Sequence, residues 1–430
     1  MKHSRSLIPY AVSAALAALS GGVQASGFQL MEQNASGLGN AYAGQAAAAE
    51  DASTIFFNPA GMTRLPGRQA VGAVNLIKPS DKFIDSGTSS APPVGVPTGG
   101  SGGDAGDLAV VPNAYLSWQF NPKIWFGLGV SVPFGLKTEY DQDWIGRFQG
   151  QLAEVKTVDI NPSIAYKISD TVSIGAGISY QMGDVKVKRS TVLGPATEGR
   201  VSVNIDDDAF GFNLGVMFTP SPSTRIGLSY RSSIDYELTG TLSIATLGGT
   251  VLGTNNVKLD VELPDTWSVA LAHQFNPQWE LLADATFTNW SKIKSLPLVT
   301  TSASPVIPAA GITADTFNFQ FKDSYRVGIG ANWKWRSDFM WKFGAAYDKT
   351  PVEDQFRTVT LPDNDRKWLA FGGKYRMSKQ TTLDFGYAHL FISDASINQM
   401  RNGETPPRGN IVGAYEASVD ILSAQISFSF

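Results

Sequence analysis

From Arg68 to Phe430 the chain repeats one pattern, apolar and polar residues alternating in steps of two. In the run from Val172 to Met182, Val172, Ile174, Ala176, Ile178, Tyr180 and Met182 fall on one side. Ser173, Gly175, Gly177, Ser179 and Gln181 fall on the other. Successive strand side chains point to opposite faces, so this predicts a strand with one greasy face and one small, polar face. The final run repeats it, with Leu422, Ala424, Ile426, Phe428 and Phe430 set against Ser423, Gln425, Ser427 and Ser429. Free termini fray, so a strand that ends on the last residue needs a partner. Pairing the last strand with the first closes a barrel, and a lipid environment accounts for its greasy outer face.

Short polar turns punctuate the pattern at 121–123, 169–171, 220–223, 276–278, 336–338 and 378–380. Each carries the Asn, Pro, Ser or Asp that tight turns favour. Between them lie longer stretches near 81–107, 135–155, 189–206, 241–257, 296–320, 350–364 and 394–413, read as irregular loops. Six short turns and seven long loops predict fourteen strands, an even number as in single-chain bacterial barrels, with the short turns on the periplasmic side. Trp118 and Trp125 beside the first turn, Trp279 beside the fourth, and Trp333, Trp335 and Trp341 about the fifth fit an interfacial girdle. By alternation with Ile124 and Phe126, Trp125 points inward. The fold class expected is an all-β membrane protein, a 14-stranded antiparallel transmembrane barrel over residues 67–430. A secreted β-sandwich would also alternate. Chain length, the aromatic turns and the terminal strand weigh against it.

The N-terminal residues are of a different kind. Lys2 and Arg5 precede an apolar run, Leu7 to Leu19, too short to span a bilayer, and Val23-Gln24-Ala25 offers a small-x-small cleavage site. Residues 1–25 read as a signal peptide. Residues 26–66 do not alternate; they are small-residue-rich, with a short helix expected within 41–50 and a breaker at Asn58-Pro59-Ala60. Their apolar content (Phe28, Leu30, Ile55, Phe56, Phe57) suits a plug inside a wide lumen better than a solvated tail. Composition adds mainly exclusions. There are no cysteines, so no disulfide framework or thiolate metal site is expected, and a net charge of −4 argues against nucleic acid as a partner. Only His273 and His389 follow the leader, no G-x-S-x-G elbow occurs, and neither an enzyme, a metal site nor a cofactor is predicted.

Gly27-Phe28-Gln29-Leu30, Ser36-Gly37-Leu38-Gly39, Ala41-Tyr42-Ala43-Gly44 and Asn58-Pro59-Ala60 stand in an order and spacing that resemble the mature N-terminus of the FadL-type outer-membrane transporters. So do Thr288 to Ser291, Phe321-Lys322-Asp323 with Tyr325-Arg326, and the run from Asp348 through Pro351, Arg357 and Leu361-Pro362-Asp363 to Trp368-Leu369. The resemblance spans essentially the whole mature chain. It implies a fourteen-stranded barrel with an N-terminal hatch, and passive uptake of hydrophobic compounds, long-chain fatty acids first. Capture by outer loops, an internal pocket and lateral release into outer-membrane lipid complete the implied route. It implies a monomer without cofactor. Neutral aromatic or alkane hydrocarbons are the near alternative, and a general porin or adhesin the alternative of another class.

By position, the resemblance places Phe28 and Leu30 at the ligand pocket and Asn58, Pro59 and Ala60 in a hatch motif, where plain plug packing is the competing reading. It places Arg189 and Lys322 opposite a ligand carboxylate; a solvated charge at a loop base competes for Arg189. Pro133, Phe134 and Gly135 are lateral-opening candidates, against an ordinary end of the third strand. The stretch near 189–206 is shorter than in the fatty acid transporters, so capture shifts in expectation to 135–155 with Trp144, Ile145 and Phe148.

Overall fold

The computed structural model describes residues 27–89 and 98–430; the predicted signal peptide and part of the 81–107 loop lie outside the described residues. Fourteen antiparallel strands form the wall. They are β1 Arg68–Asp85, β2 Ala109–Asn121, β3 Ile124–Ser131 with Gly135–Glu139, β4 Leu152–Lys167, and β5 Val172–Gly194. Next come β6 Thr197–Ser221, β7 Thr224–Arg231 with Ile234–Thr246, β8 Val251–Leu263 with Thr266–Gln274, and β9 Trp279–Thr288 with Ser295–Thr300. The last are β10 Thr313–Asn318 with Ser324–Lys334, β11 Phe339–Asp348, β12 Arg366–Arg376, β13 Thr381–Ile392 with Ala395–Met400, and β14 Asn410–Ser429. β14 pairs with β1 from Gln69↔Ser429 to Asp85↔Gly413, and Phe430 N donates to Arg68 O at 3.0 Å. The last residue is thus held at the seam that closes the barrel.

All six short turns fall where the alternation breaks. Two of the stretches read as irregular loops do not: 189–206 and 241–257 are strand. β5 and β6 run on as a hairpin joined at Pro195-Ala196, with ladder pairs out to Gly194↔Thr197. β7 and β8 likewise continue to Thr246 and from Val251. The charges there (Lys186, Lys188, Asp206, Asp207) look loop-like, yet the two-residue period persists with its phase reversed.

That reversal divides the wall. In the short-turn half the apolar face points out: Ile178 is 60% exposed, and Phe212, Leu214, Leu422 and Phe428 are also exposed. The polar face points in, with Ser179, Gln181, Asn213 and Gln425 buried. This is the burial expected of a wall bathed in lipid. Above Gly183 on β5 and Phe210 on β6 the sides exchange. Val185, Val187, Val201, Val203 and Ile205 turn inward, while Lys186, Asn204 and Asp206 turn outward.

Residues 27–66 fill the short-turn half. Two single turns of α-helix, Gln45–Ala48 and Thr54–Phe57, and two 3-10 turns, Leu38–Asn40 and Pro59–Arg64, are linked by irregular chain whose backbone needs partners. The inward polar residues of the wall supply them. Asn75 and Asn113 donate to Glu32 O at 2.8 and 2.9 Å, and Gln425 Oε1 accepts from Ala35 N at 3.0 Å. Lys342 donates to Ser36 O at 2.7 Å and pairs with Glu50 at 2.8 Å; Lys374 pairs with the same carboxylate. Close approach needs glycine on the wall: a Cβ at Gly215 would overlap Asn58 Oδ1, and one at Gly227 would overlap Ala46 O. Trp125 points inward as expected, its indole donating to Leu65 O at 2.8 Å.

Candidate functional site

Above the hatch, the inward apolar residues of β4 to β9 enclose a cavity. About 120 Å³ of it is open to the centre of a water-sized sphere. That is far beyond the ~10–15 Å³ that one water needs. Val185, Val203, Ile205, Leu238, Leu259 and Phe319 typify the lining, and among the described residues no lysine or arginine lines it. Glu154 reaches its edge but is engaged by Lys156 at 2.7 Å and Lys186 at 3.6 Å. A space this large and this apolar is poorly suited to water and well suited to hydrocarbon.

Phe28 closes the cavity from below. Its ring meets Trp290 edge-on at 4.9 Å and Phe134 at 5.9 Å. The hatch end is held by Gly27 N, which donates to Asp363 Oδ2 at 2.9 Å. Leu30 is buried, but against Val132 and Val111 near the hatch rather than in the cavity. Asn58 acts on the chain itself: its Nδ2 donates to Ala46 O and Val216 O, and its Oδ1 caps Ala60 N, with Pro59 opening the 3-10 turn.

Pro133 does not end the third strand. It sits in a break between the two halves of β3, where the hatch edge is added to the wall: Leu30 N donates to Pro133 O at 2.8 Å, and Gly135 N to Phe28 O at 2.9 Å. Proline lacks the donor a ladder would require, so the chain bends here. Beyond Ala114↔Val130 no β2–β3 ladder pair is made, leaving the wall open between β2 and the upper half of β3. Pro133, Phe134 and Gly135 border that opening.

On the long-loop side the cavity adjoins a polar vestibule, the two sharing Val187, Phe317, Phe319 and Thr360. Arg189, inward-facing on β5, lies there. Its Nε donates to Asp315 at 3.2 Å, and Arg408 pairs with the other oxygen of Asp315 at 2.8 Å and with Glu404 at 3.1 Å. Arg401 completes three cations against two carboxylates. Burial lowers the pKa of Arg189 to about 10, Arg408 pushing the same way and Asp315 opposing. Burial disfavours the Asp315 carboxylate, but Arg189 and Arg408 outweigh it and hold its pKa below the ordinary range. Lys322 is elsewhere: its side chain is 67% exposed and paired with Glu353, and it lines neither space. Trp144 and Phe148 are buried, Trp144 stacked on Tyr140 at 3.8 Å, so they form loop core rather than an exposed groove.

Residues 16–430 match the family described as outer membrane protein transport protein (OMPP1/FadL/TodX). The chain belongs to this family. It is an outer-membrane transport protein, and its family is one of transporters rather than enzymes. Among its relatives, the long-chain fatty acid transport protein of Escherichia coli K12 is 27% identical, over 90% of this chain and 93% of that protein. The 47 kDa outer membrane protein of Pasteurella multocida is 29% identical over 88% and 90%. Among solved structures, a Pseudomonas aeruginosa FadL homologue superposes with a TM-score of 0.85 at 22% identity, covering 94% of this chain and all of that one. The Ralstonia pickettii toluene transporter TbuX gives 0.66 at 17% identity, over 93% of this chain and all of that one. Both structures share the fold.

Arg401 and Arg408 escaped sequence reading, because they lie in one irregular loop more than two hundred residues from Arg189. The cavity lining left a signal. In Val185-Lys-Val-Lys188 and Val201-Ser-Val-Asn-Ile205 the period is intact and the apolar phase reversed.

Proposed function

We propose that this FadL-family protein takes up long-chain fatty acids by passive transfer, the acyl chain in the cavity above Phe28 and the carboxylate in the vestibule at Arg189, Arg401 and Arg408. The observation that carries this reading is the adjacency of the two spaces: an apolar chamber without a cation opens directly onto a cation-bearing one, which matches an amphipathic ligand. Each buried methylene contributes about 0.8 kcal/mol, which is why a greasy chamber serves this cargo better than a wet pore. Release is sideways, through the opening beside Pro133, Phe134 and Gly135 into outer-membrane lipid, and the protein acts as a monomer. The names of the curated relatives support the substrate class.

One observation favours a second reading. Arg189 is already paired with Asp315, and the chamber itself has no cation, so a neutral aromatic or alkane could occupy it alone. Oleate and p-xylene binding to folded protein, wild type against Arg189→Ala with Arg408→Ala, separates the two. Saturable oleate binding weakened by about tenfold in the double variant supports the fatty acid. Binding of p-xylene with none of oleate supports the hydrocarbon. Steady ion conductance without binding of either would return the protein to the porins.

A further inference from the structure

A membrane barrel normally pairs every strand with both neighbours, because unpaired backbone groups facing lipid are costly. The β6–β7 seam departs from this. Its ladder pairs stop at Asn213↔Arg231 and resume only at Asp206↔Thr239. In between, Ser232 N donates to Phe212 O at 2.9 Å, and two side chains stitch the rest: Ser232 Oγ accepts from Phe212 N at 2.9 Å, and Asp207 Oδ2 from Glu237 N at 2.7 Å. On its other edge β6 stays fully paired with β5 through the same residues. The lapse in ladder pairing therefore belongs to one edge of β6 and is not a general loosening of the strand.

The seam backs onto the cavity. Inside it stand the small residues Ala209 and Gly211, with Ile234 leaning on Gly211. Tyr236 of β7 reaches across β6 to β5: it lines the cavity, lies over Gly183, and its hydroxyl donates to Gln181 Oε1 at 3.0 Å. Outside, a chain of rings runs past the seam, Tyr180 to Phe210 at 5.2 Å, Phe212 to Tyr230 at 5.8 Å and Tyr230 to Trp267 at 4.4 Å. Such rings mark the bilayer interface. At the break in β3, on the edge opposite the opening described above, β3–β4 pairing likewise lapses between Ser131↔Asp159 and Gly135↔Lys156 and is stitched by a hydroxyl (Phe134 N to Thr157 Oγ1, 2.9 Å), with aromatic rings beside it.

We propose that the β6–β7 seam is a second lateral port, through which an apolar ligand passes between the cavity and the bilayer, with Tyr236 as its inner door. The proposal rests on the transport reading above and adds a route to it.

The chain has no cysteine, so one introduced pair tests it. A Cβ at Gly211 would lie 2.9 Å from Ser232 Oγ, a spacing that suits a disulfide. Gly211→Cys with Ser232→Cys is placed in nanodiscs, and transfer of a fluorescent fatty acid from protein to bilayer is timed, oxidised against reduced. The proposal expects oxidation to slow transfer by about threefold or more, reversibly, with equilibrium binding unchanged. Equal rates in the two states overturn it. Should that pair fold poorly, Tyr236→Phe, which removes only the latch to Gln181, is expected to speed transfer by about threefold; an unchanged rate overturns the port. Fatty acid binding by the wild type together with unaltered transfer in both variants refutes the port alone. A wild type that binds no apolar ligand refutes the transport reading together with it.

Discussion

The two halves of this barrel wall carry the same alternation with opposite phase, and each phase answers a different solvent. In the short-turn half lipid lies outside, so Ile178, Phe212 and Leu214 face out, while inside Asn213 donates to Ile55 O of the hatch, Ser179 accepts from Asn161 and Gln181 accepts from Tyr236. In the long-loop half water lies outside, so Lys186, Asn204 and Asp206 face out and the valines face in. The first interior is filled by the protein's own N-terminal segment. The second keeps an open cavity, which in the proposed function a ligand fills.

The comparison breaks most severely where the filled half is overfilled. Gly227→Val drives a side chain into the backbone of Ala46; about 3 kcal/mol of stability should go, read from the urea midpoint, and planar bilayers should show new conductance as the hatch is displaced. Leu214→Arg puts a charge against lipid and should cost about 2–4 kcal/mol if it lies near the bilayer midplane. In the upper half the same kind of change should touch function and spare the fold: Val203→Glu, inward, should weaken oleate binding about 100-fold, whereas Asn204→Glu, its outward neighbour, should stay within about twofold. Equal effects at 203 and 204 would deny the phase reversal its meaning.

Smaller effects sharpen the vestibule. Asp315→Asn frees Arg189 and Arg408 and should tighten binding of a long alkyl sulfonate, whose charge does not titrate, by about threefold, leaving p-xylene unchanged. Because the folded pKa of Asp315 is depressed, the pairing is complete above the ordinary carboxylate value of about 3.9 and is lost as pH falls through the lower folded value. Sulfonate affinity should therefore be flat from about pH 6 to 8. Lys322→Ala removes an exposed pair with Glu353 and should shift oleate affinity less than about twofold.

Strand number, turn positions and the inward Trp125 were legible because each depends on local alternation and turn chemistry. The hairpins at 189–206 and 241–257 were read as loops. In the first, Lys186 and Asp206 are the outward face of strands that continue beyond the lipid-facing half; in the second, the turn at 247–250 interrupts strands rich in Gly, Thr and Asn. Phe28 lines the cavity, at the position for which the resemblance in a local motif implied a pocket residue. Lys322 lies outside the cavity: it sits in the break between the two halves of β10, where Phe321 packs near Trp290 and Lys322 is exposed and paired with Glu353. Arg401 and Arg408 join Arg189 and the strand residue Asp315 only through the folding of the loop after β13, which leaves no periodic trace.

The most direct test of the reversed upper half is a crystal of the protein soaked with a long-chain fatty acid brominated in mid-chain. Anomalous scattering should place bromine among Val185, Val203 and Leu259, above Phe28 and below Arg189. Bromine found only on the outer wall, or an empty cavity at a concentration that saturates binding in solution, would contradict the account.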